Sequence, residues 1–284
     1  MYRFALPADD LDLRRCVTSG QVFRWTQNEQ GIWTGFDGDA WFRIDGDAVE
    51  SNHPQGAFQR LFRLDVHAGD VARKLIELGP ELEPYVQSLS GLRLMRPSDP
   101  VETFFSFLCT PNNHIKRITG MINHLASFGP DLGFRRFPDV EVIAGLHESH
   151  LRALGFGYRA ATIPHIAREL QSRGGRAYLT SLAESPYEEA HRELCEFKGI
   201  GPKLADCIAL FALDHTEAAP IDTHVWQAVT RLYFPDWAGS ALTDVRYRTA
   251  GDHLRSRFGP LAAWAQQFLF FDNHLNWRAR SKQP

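Results

Sequence analysis

Lys203 and Asp222 are the two side chains in this sequence whose types and placement best suit covalent chemistry. Lys203 lies in CEFKGIGPKLADC, residues 195 to 207, where two glycines flank an isoleucine and a proline opens an apolar helical pattern. A lysine at a helix start is electrostatically misplaced, because the unpaired N–H groups make that end positive. The same misplacement favours a nucleophile. An amine must shed its proton to attack, and moving its pKa from about 10.4 to about 8 takes roughly 3 kcal/mol of disfavoured charge. A helix N-terminus in a partly dry pocket is expected to supply that shift. The plainer role for Lys203 is a surface ammonium touching an anion. Asp222, nineteen residues further on in APIDTHVW, stands where an N-cap belongs before the helix THVWQAV. A carboxylate held by helix N–H groups stays ionised, so one residue can both cap the helix and stabilise a cationic, sugar-like transition state.

The elements that must hold these groups can be read from HRELCEFKGIGPKLADCIALFAL. A helix ending near Phe197 meets the turn Lys198-Gly199-Ile200-Gly201, and a second helix begins with Pro202 in its first turn, giving a helix-hairpin-helix over about 190–213. Backbone N–H groups at Gly199, Ile200 and Gly201 then point outward at a helix start, a concavity that accepts an anion such as phosphate. On the glycines alone, an ordinary turn between helices explains the stretch equally well. Within the second helix Leu204, Cys207, Ile208 and Phe211 sit at core spacing, and Lys203 shares a flank with Cys207 one turn on.

The rest of the chain sets the frame. Its 284 residues, 44% of them hydrophobic, can bury a sizeable core, and no window approaches the roughly 18 apolar residues of a spanning helix. The N-terminal MYRFALPADD lacks the order of a signal peptide, so the expected location is intracellular, which in a bacterial source means the cytoplasm or nucleoid, with no membrane partner. Cys16, Cys109, Cys195 and Cys207 show no C-x-x-C pairing and read as free thiols, with no metal site. With 31 basic against 34 acidic residues, any DNA contact must be made by a local basic face. Strand signals fall in VFRWT, GIWTGF and AWFRI, separated by the turn-forming pairs Asp37-Gly38 and Asp45-Gly46. From about residue 55 the period becomes helical, in DVARKLIEL, Pro100 to Leu108, IKRITGMINHLASF, ATIPHIAREL, PYEEAHRELCEF, KLADCIALFAL, THVWQAVTRLY and LAAWAQQFLFF. The expected architecture is mainly α with a small N-terminal antiparallel β-sheet (α+β). A sheet-bearing domain would occupy residues 1–95 and a helical body, itself of two subdomains, residues 96–284.

Together the hairpin, its lysine and Pro220-Ile221-Asp222 resemble the helix-hairpin-helix DNA glycosylase superfamily, whose bifunctional members carry the lysine. SGQVFRW at 19–25, FSFLCTPNNHIKRITGM at 105–121, LGFGYRA at 154–160 and GPLAAWAQQFLF at 259–270 further resemble the eukaryotic-type 8-oxoguanine DNA glycosylases, in matching order through nearly the whole chain. The resemblance implies a helix-hairpin-helix glycosylase fold in a cofactor-free monomer acting on double-stranded DNA that contains 8-oxoguanine. Its implied activities are excision of that base opposite cytosine and nicking of the strand through a Lys203 Schiff base and β-elimination. It places the extruded base among Gly20, Cys207, Gln266 and Phe270, the last two sharing a helix face at four-residue spacing. Asn112, Arg117 and Arg159 would read the orphaned cytosine, Tyr158 would wedge the stack, and His224 would lie near the lesion's phosphate beside the hairpin's Gly199, Ile200 and Gly201. The family's usual three asparagines are here Asn112, Asn113 and His114, preceded by Pro111. Two other readings stay open. One is a glycosylase for a different lesion, and the other a noncatalytic protein using the hairpin only as a phosphate clamp.

Overall fold

The structure, a computed structural model, describes residues 1–7 and 10–280. The chain opens on strand β1 (Tyr2–Ala5) and helix α1 (Leu13–Thr18), and continues through β2 (Trp25–Gln27), β3 (Trp33–Asp37), β4 (Ala40–Asp45) and β5 (Ala48–Ser51). These strands form one antiparallel sheet ordered β1-β5-β4-β3-β2. Both Asp-Gly pairs make tight turns, but each aspartate closes its strand and the loops are Gly38-Asp39 and Gly46-Asp47, since Asp37 pairs with Ala40 and Asp45 with Ala48. Pairing in VFRWT starts only at Trp25. Strands β1 and β5 carry no signal in the sequence, since at four residues each they are too short for a period of two to register.

On β4 the alternation is clean. Phe42 and Ile44 point inward, and Phe42 stacks on Trp25 with ring centroids 6.0 Å apart. Helix α2 (Gln55–Leu61) covers this face with Phe58 and Leu61, so the sheet has its own apolar cluster together with Phe62 and Met95. The chain then runs through α3 (Ala68–Leu78) and α4 (Glu83–Ser88) to Arg93, which is wholly buried. Its guanidinium donates to the carbonyls of Phe62, Arg63, Val66 and Asp10 and pairs with the Asp10 carboxylate at 3.0 Å. A buried charge is tolerated when every donor is used in this way.

The helical part comprises α5 (Pro100–Leu108), α6 (Ile115–Ala126), α7 (Val140–Ala144), α8 (Glu148–Ala153), α9 (Arg159–Ser172), α10 (Arg176–Glu184), α11 (Tyr187–Cys195), α12 (Pro202–Leu213), α13 (Thr223–Tyr233), α14 (Asp244–Phe258) and α15 (Ala262–Arg280). Every helix expected from the sequence is present, DVARKLIEL as α3 and the others among these. At the head of α5, Asp99 accepts from Val101 N and Glu102 N while Pro100 occupies the first turn. Helix α12 packs against α5, α10 and α11, and each side chain from Leu204 to Phe211 is buried. It therefore has no polar stripe, and Lys203 emerges from the first turn of a largely buried helix. The larger apolar cluster takes in Val71 to Leu94 as well as the helices beyond. No helix among the described residues is long and apolar enough to cross a membrane.

Candidate active site

Helix α11 stops at Cys195, and the chain turns through Glu196 to Gly201 with Ile200 N donating to Phe197 O at 2.9 Å. Gly199 holds φ at +100°, a conformation that costs an L side chain strain, and Ile200 plugs the turn into the core. Gly201 precedes α12 without any side-chain cap and Pro202 follows, so the first turn presents its N–H groups outward to an anion.

Lys203 reaches back from this turn, half-buried, into a cleft of about 350 Å³. Gly20, Cys207, Asp222, His224, Gln266 and Phe270 share its walls. Seven of the residues singled out in the sequence are thus gathered from four segments. Asp222 caps α13, its Oδ1 accepting from Val225 N at 2.8 Å. Gln266 donates through Nε2 to Pro220 O at 3.0 Å, while its buried Oε1 has no hydrogen-bond partner among the described residues. A buried acceptor left unmatched costs about 1–3 kcal/mol, which a guest bearing an N–H would recover. Phe270 lies parallel to His274 (5.7 Å, 15°) and is met edge-on by His224.

The electrostatics correct one expectation. Burial does work to strip the proton from Lys203, but the Cys207 sulfur and the carboxylates of Asp222 and Asp206 together outweigh it. The amine therefore stands above the ordinary lysine value, not near 8. Sequence reasoning counted the helix dipole and the dry pocket and missed the acidic groups that folding brings around the amine. Burial also pushes the Cys207 thiol up, against the pull of the Lys203 ammonium.

Gly20 holds φ at +77°, and a Cβ there would stand 3.8 Å from the Phe270 ring. Gly20→Ala is expected to lose about 1–2 kcal/mol of stability in chemical denaturation, the cost of a left-handed L residue. Because the added methyl faces the slot in front of Phe270, single-turnover excision should also fall about tenfold, some 1.4 kcal/mol of misfit. The loop bearing Gly20 is braced on both sides. Gln21 bonds Ser19 Oγ, Arg93 O and Met95 N, and Gln267 donates to Ser19 O at 3.3 Å. Sequence reasoning missed Gln267, whose only signal was its position beside Gln266.

A second group gathers outside the cleft. The Arg159 guanidinium donates to Pro111 O and lies over the Tyr158 ring at 4.5 Å, and the Tyr158 hydroxyl reaches the same carbonyl at 3.5 Å. Arg117 donates to Gly155 O at 3.0 Å, and Asn112 holds φ at +49° beside them. Tyr158 is 57% exposed, whereas Arg159 is buried. The two departures from the family run now have a structural account. Residue 111 contributes its carbonyl, which proline retains, and His114 caps α6 by accepting from Arg117 N at 3.3 Å through Nδ1. It is Asn113, not Asn112, that faces the cleft.

A family profile described as HhH-GPD superfamily base excision DNA repair protein matches residues 105–244, and one described as 8-oxoguanine DNA glycosylase, N-terminal domain, matches residues 3–104. The chain is 34% identical over 281 residues to the N-glycosylase/DNA lyase OGG1 of Arabidopsis thaliana, a match covering 92% of this chain and 77% of that one. It is 33% identical over 215 residues to the N-glycosylase/DNA lyase of Saccharomyces cerevisiae, covering 64% of this chain and 57% of that one. Among solved structures, the 8-oxoguanine glycosylase/lyase of Clostridium acetobutylicum in complex with double-stranded DNA containing cytosine opposite 8-oxoG superposes with a TM-score of 0.81 at 27% identity, covering 95% of this chain and 93% of that one.

Proposed function

Because the chain belongs to the 8-oxoguanine DNA glycosylase family within the helix-hairpin-helix base excision repair superfamily, we propose that its cleft receives an extruded 8-oxoguanine and that Lys203 displaces it. It is a bifunctional N-glycosylase/DNA lyase. The observation that best supports the site assignment is the convergence of an amine, a carboxylate, an unmatched amide acceptor and an aromatic face in one cleft beside a phosphate-binding turn.

The duplex is held at the N–H groups of Gly199, Ile200 and Gly201, with His224 toward the lesion's phosphate. The base leaves the stack and enters between Phe270 and Cys207, where Gln266 Oε1 accepts from its pairing edge and the Gly20 carbonyl from N7–H, a hydrogen that guanine lacks. One such bond discriminates by about 1–3 kcal/mol, so rejection of normal guanine must also occur during extrusion. Tyr158 enters the gap and Asn112, Arg117 and Arg159 take the orphaned cytosine. For that, Arg159 must exchange its bond to Pro111 O for the base.

Lys203 begins as an ammonium, and Asp222 is the carboxylate in the same wall able to take its proton. The free amine forms a bond to the sugar's anomeric carbon while the C1′–N9 bond breaks, and the base departs with that electron pair and with the proton Asp222 had taken, which leaves Asp222 a carboxylate again. Asp222 stabilises the cationic character that develops at the sugar. Ring opening gives a protonated Schiff base, loss of a C2′ proton expels the 3′ phosphate, and the strand is cut.

The test is a set of duplexes bearing one 8-oxoguanine opposite each of the four bases, incubated with borohydride to fix the Schiff base. A covalent adduct is expected, formed fastest opposite cytosine. An adduct only with another lesion would move the pocket to that substrate, and no adduct with any duplex would refute the Lys203 chemistry.

A further inference from the structure

Behind Lys203, on the side of α12 away from the cleft, lies a carboxylate that the reaction above does not use. Asp206 is 1% exposed and has no arginine or lysine within ion-pair distance among the described residues; His191 Nε2, at 3.8 Å, is its nearest basic nitrogen. Two tyrosine hydroxyls hold it instead. Tyr187 on α11 donates to Oδ1 at 2.5 Å, and Tyr247 on α14 donates to Oδ2. The direction of the first bond is fixed, because Arg255 Nη1 donates to the Tyr187 oxygen at 2.9 Å and so turns that hydroxyl's hydrogen toward Asp206. Acceptance on both oxygens is the pattern of an ionised carboxylate. Burial, reinforced by Asp206, pushes both tyrosine hydroxyls up, so they remain donors.

We propose that Asp206 is a positioning residue for Lys203: a fixed negative charge that clamps α12 between α11 and α14 and sets the pH at which the amine becomes a nucleophile. The inference rests on Lys203 as the Schiff-base lysine. Lys203 and Asp206 are three residues apart on one helix, which brings their Cβ atoms to about 5–6 Å of each other. The acid's field acts through a dry core and stabilises the ammonium, in line with its share in holding Lys203 above the ordinary lysine value. The titratable or charged groups around Asp206 are Tyr187, His191 and Cys195 on α11 and Tyr247, Asp252 and Arg255 on α14, with Lys203 and Cys207 on its own helix. Facing Lys203 across the cleft are Asp222, His114, His224 and His274.

Asp206→Asn separates charge from shape, since the amide can accept from Tyr187 and donate to the Tyr247 oxygen. The sign follows from the field: without the anion the ammonium is less stable, its pKa falls, and more of it is neutral at any acid pH. The acid limb of the borohydride-trapping rate should therefore move down by about half a pH unit, read as a roughly threefold gain at pH 6 relative to the alkaline plateau. Duplex affinity should stay within about twofold of the native protein, since no DNA contact changes. A uniform loss of rate at every pH, or an unmoved limb, would mean a merely structural residue. Should the variant fail to fold, Asp222→Asn, which removes the cleft's own carboxylate and leaves Asp206 in place, still decides. Its five lysines can be reductively methylated with carbon-13, and the signal missing on further replacement of Lys203 by glutamine identifies the amine. Titration still above the ordinary lysine value supports the proposal, and titration below it overturns it. Failure of the lysine assignment would look different, because the native protein would then form no adduct at any pH.

Discussion

Lys203→Gln is expected to abolish the borohydride adduct and strand nicking and to slow base excision by at least about 10³-fold, the scale seen when an enzyme loses its nucleophile. The glutamine keeps a polar side chain of similar reach at the mouth of the cleft and should leave duplex binding intact, since the phosphate contacts proposed for the hairpin use backbone N–H groups that the substitution does not touch. Measuring affinity on an uncleaved duplex and excision in a single turnover separates the two. The electrostatics add a pH dependence with a definite sign. Because the acidic groups around it outweigh burial and hold the amine above its ordinary value, Lys203 is mainly an ammonium at neutral pH. The native excision rate should therefore climb with pH across the neutral range, and a rate that fell from pH 6 to pH 8 would contradict the amine as attacker. Excision by Lys203→Gln at the native rate would contradict the mechanism outright.

The fold was legible where elements are long and punctuated. Asp99-Pro100, Gly201-Pro202 and Asp222-Thr223 each announce a helix start in the sequence, and each carries one in the structure. Strands β1 and β5 were not legible, because four-residue segments acquire their conformation from a partner such as β4 and carry almost no pattern of their own. The site followed the same divide. Lys203, Cys207, Asp222, Gln266 and Phe270 could be picked out by type and spacing, Gly20 and His224 by the family resemblance, and the fold does bring them to one cleft. Gln267 and Asp206 could not, since a glutamine beside another glutamine and an aspartate inside an apolar helix have no local signature. Their importance comes from Ser19, Tyr187 and Tyr247, which lie 248, 19 and 41 residues away in sequence. Charge environment was least legible of all, and the raised pKa of Lys203 is its clearest consequence.

Asp222 makes a sharper test than Lys203 because capping and chemistry can be pulled apart at one atom. Its Oδ1 accepts from Val225 N, and asparagine caps helices as well as aspartate does while carrying no charge. Asp222→Asn should therefore melt within a degree or two of the native protein, yet excise 8-oxoguanine about 10²–10³-fold more slowly, the usual cost of losing one group aimed at transition-state charge. Asp222→Ala removes both functions. It should show the same kinetic loss and, in addition, about 1 kcal/mol less stability, equivalent to about 2–4 °C in a chain of this size. The asparagine variant has a second signature. Without the carboxylate, Lys203 loses one of the groups that hold its proton, so the acid limb of any residual activity should move to lower pH while the plateau drops. A plateau that stayed at the native level would reduce Asp222 to a helix cap and leave the cationic sugar to be stabilised by other means. A joint fall of stability and rate in the asparagine variant would instead mean that the cleft depends on the cap for its shape. Only loss of rate with the melting temperature preserved supports a carboxylate that acts on the sugar.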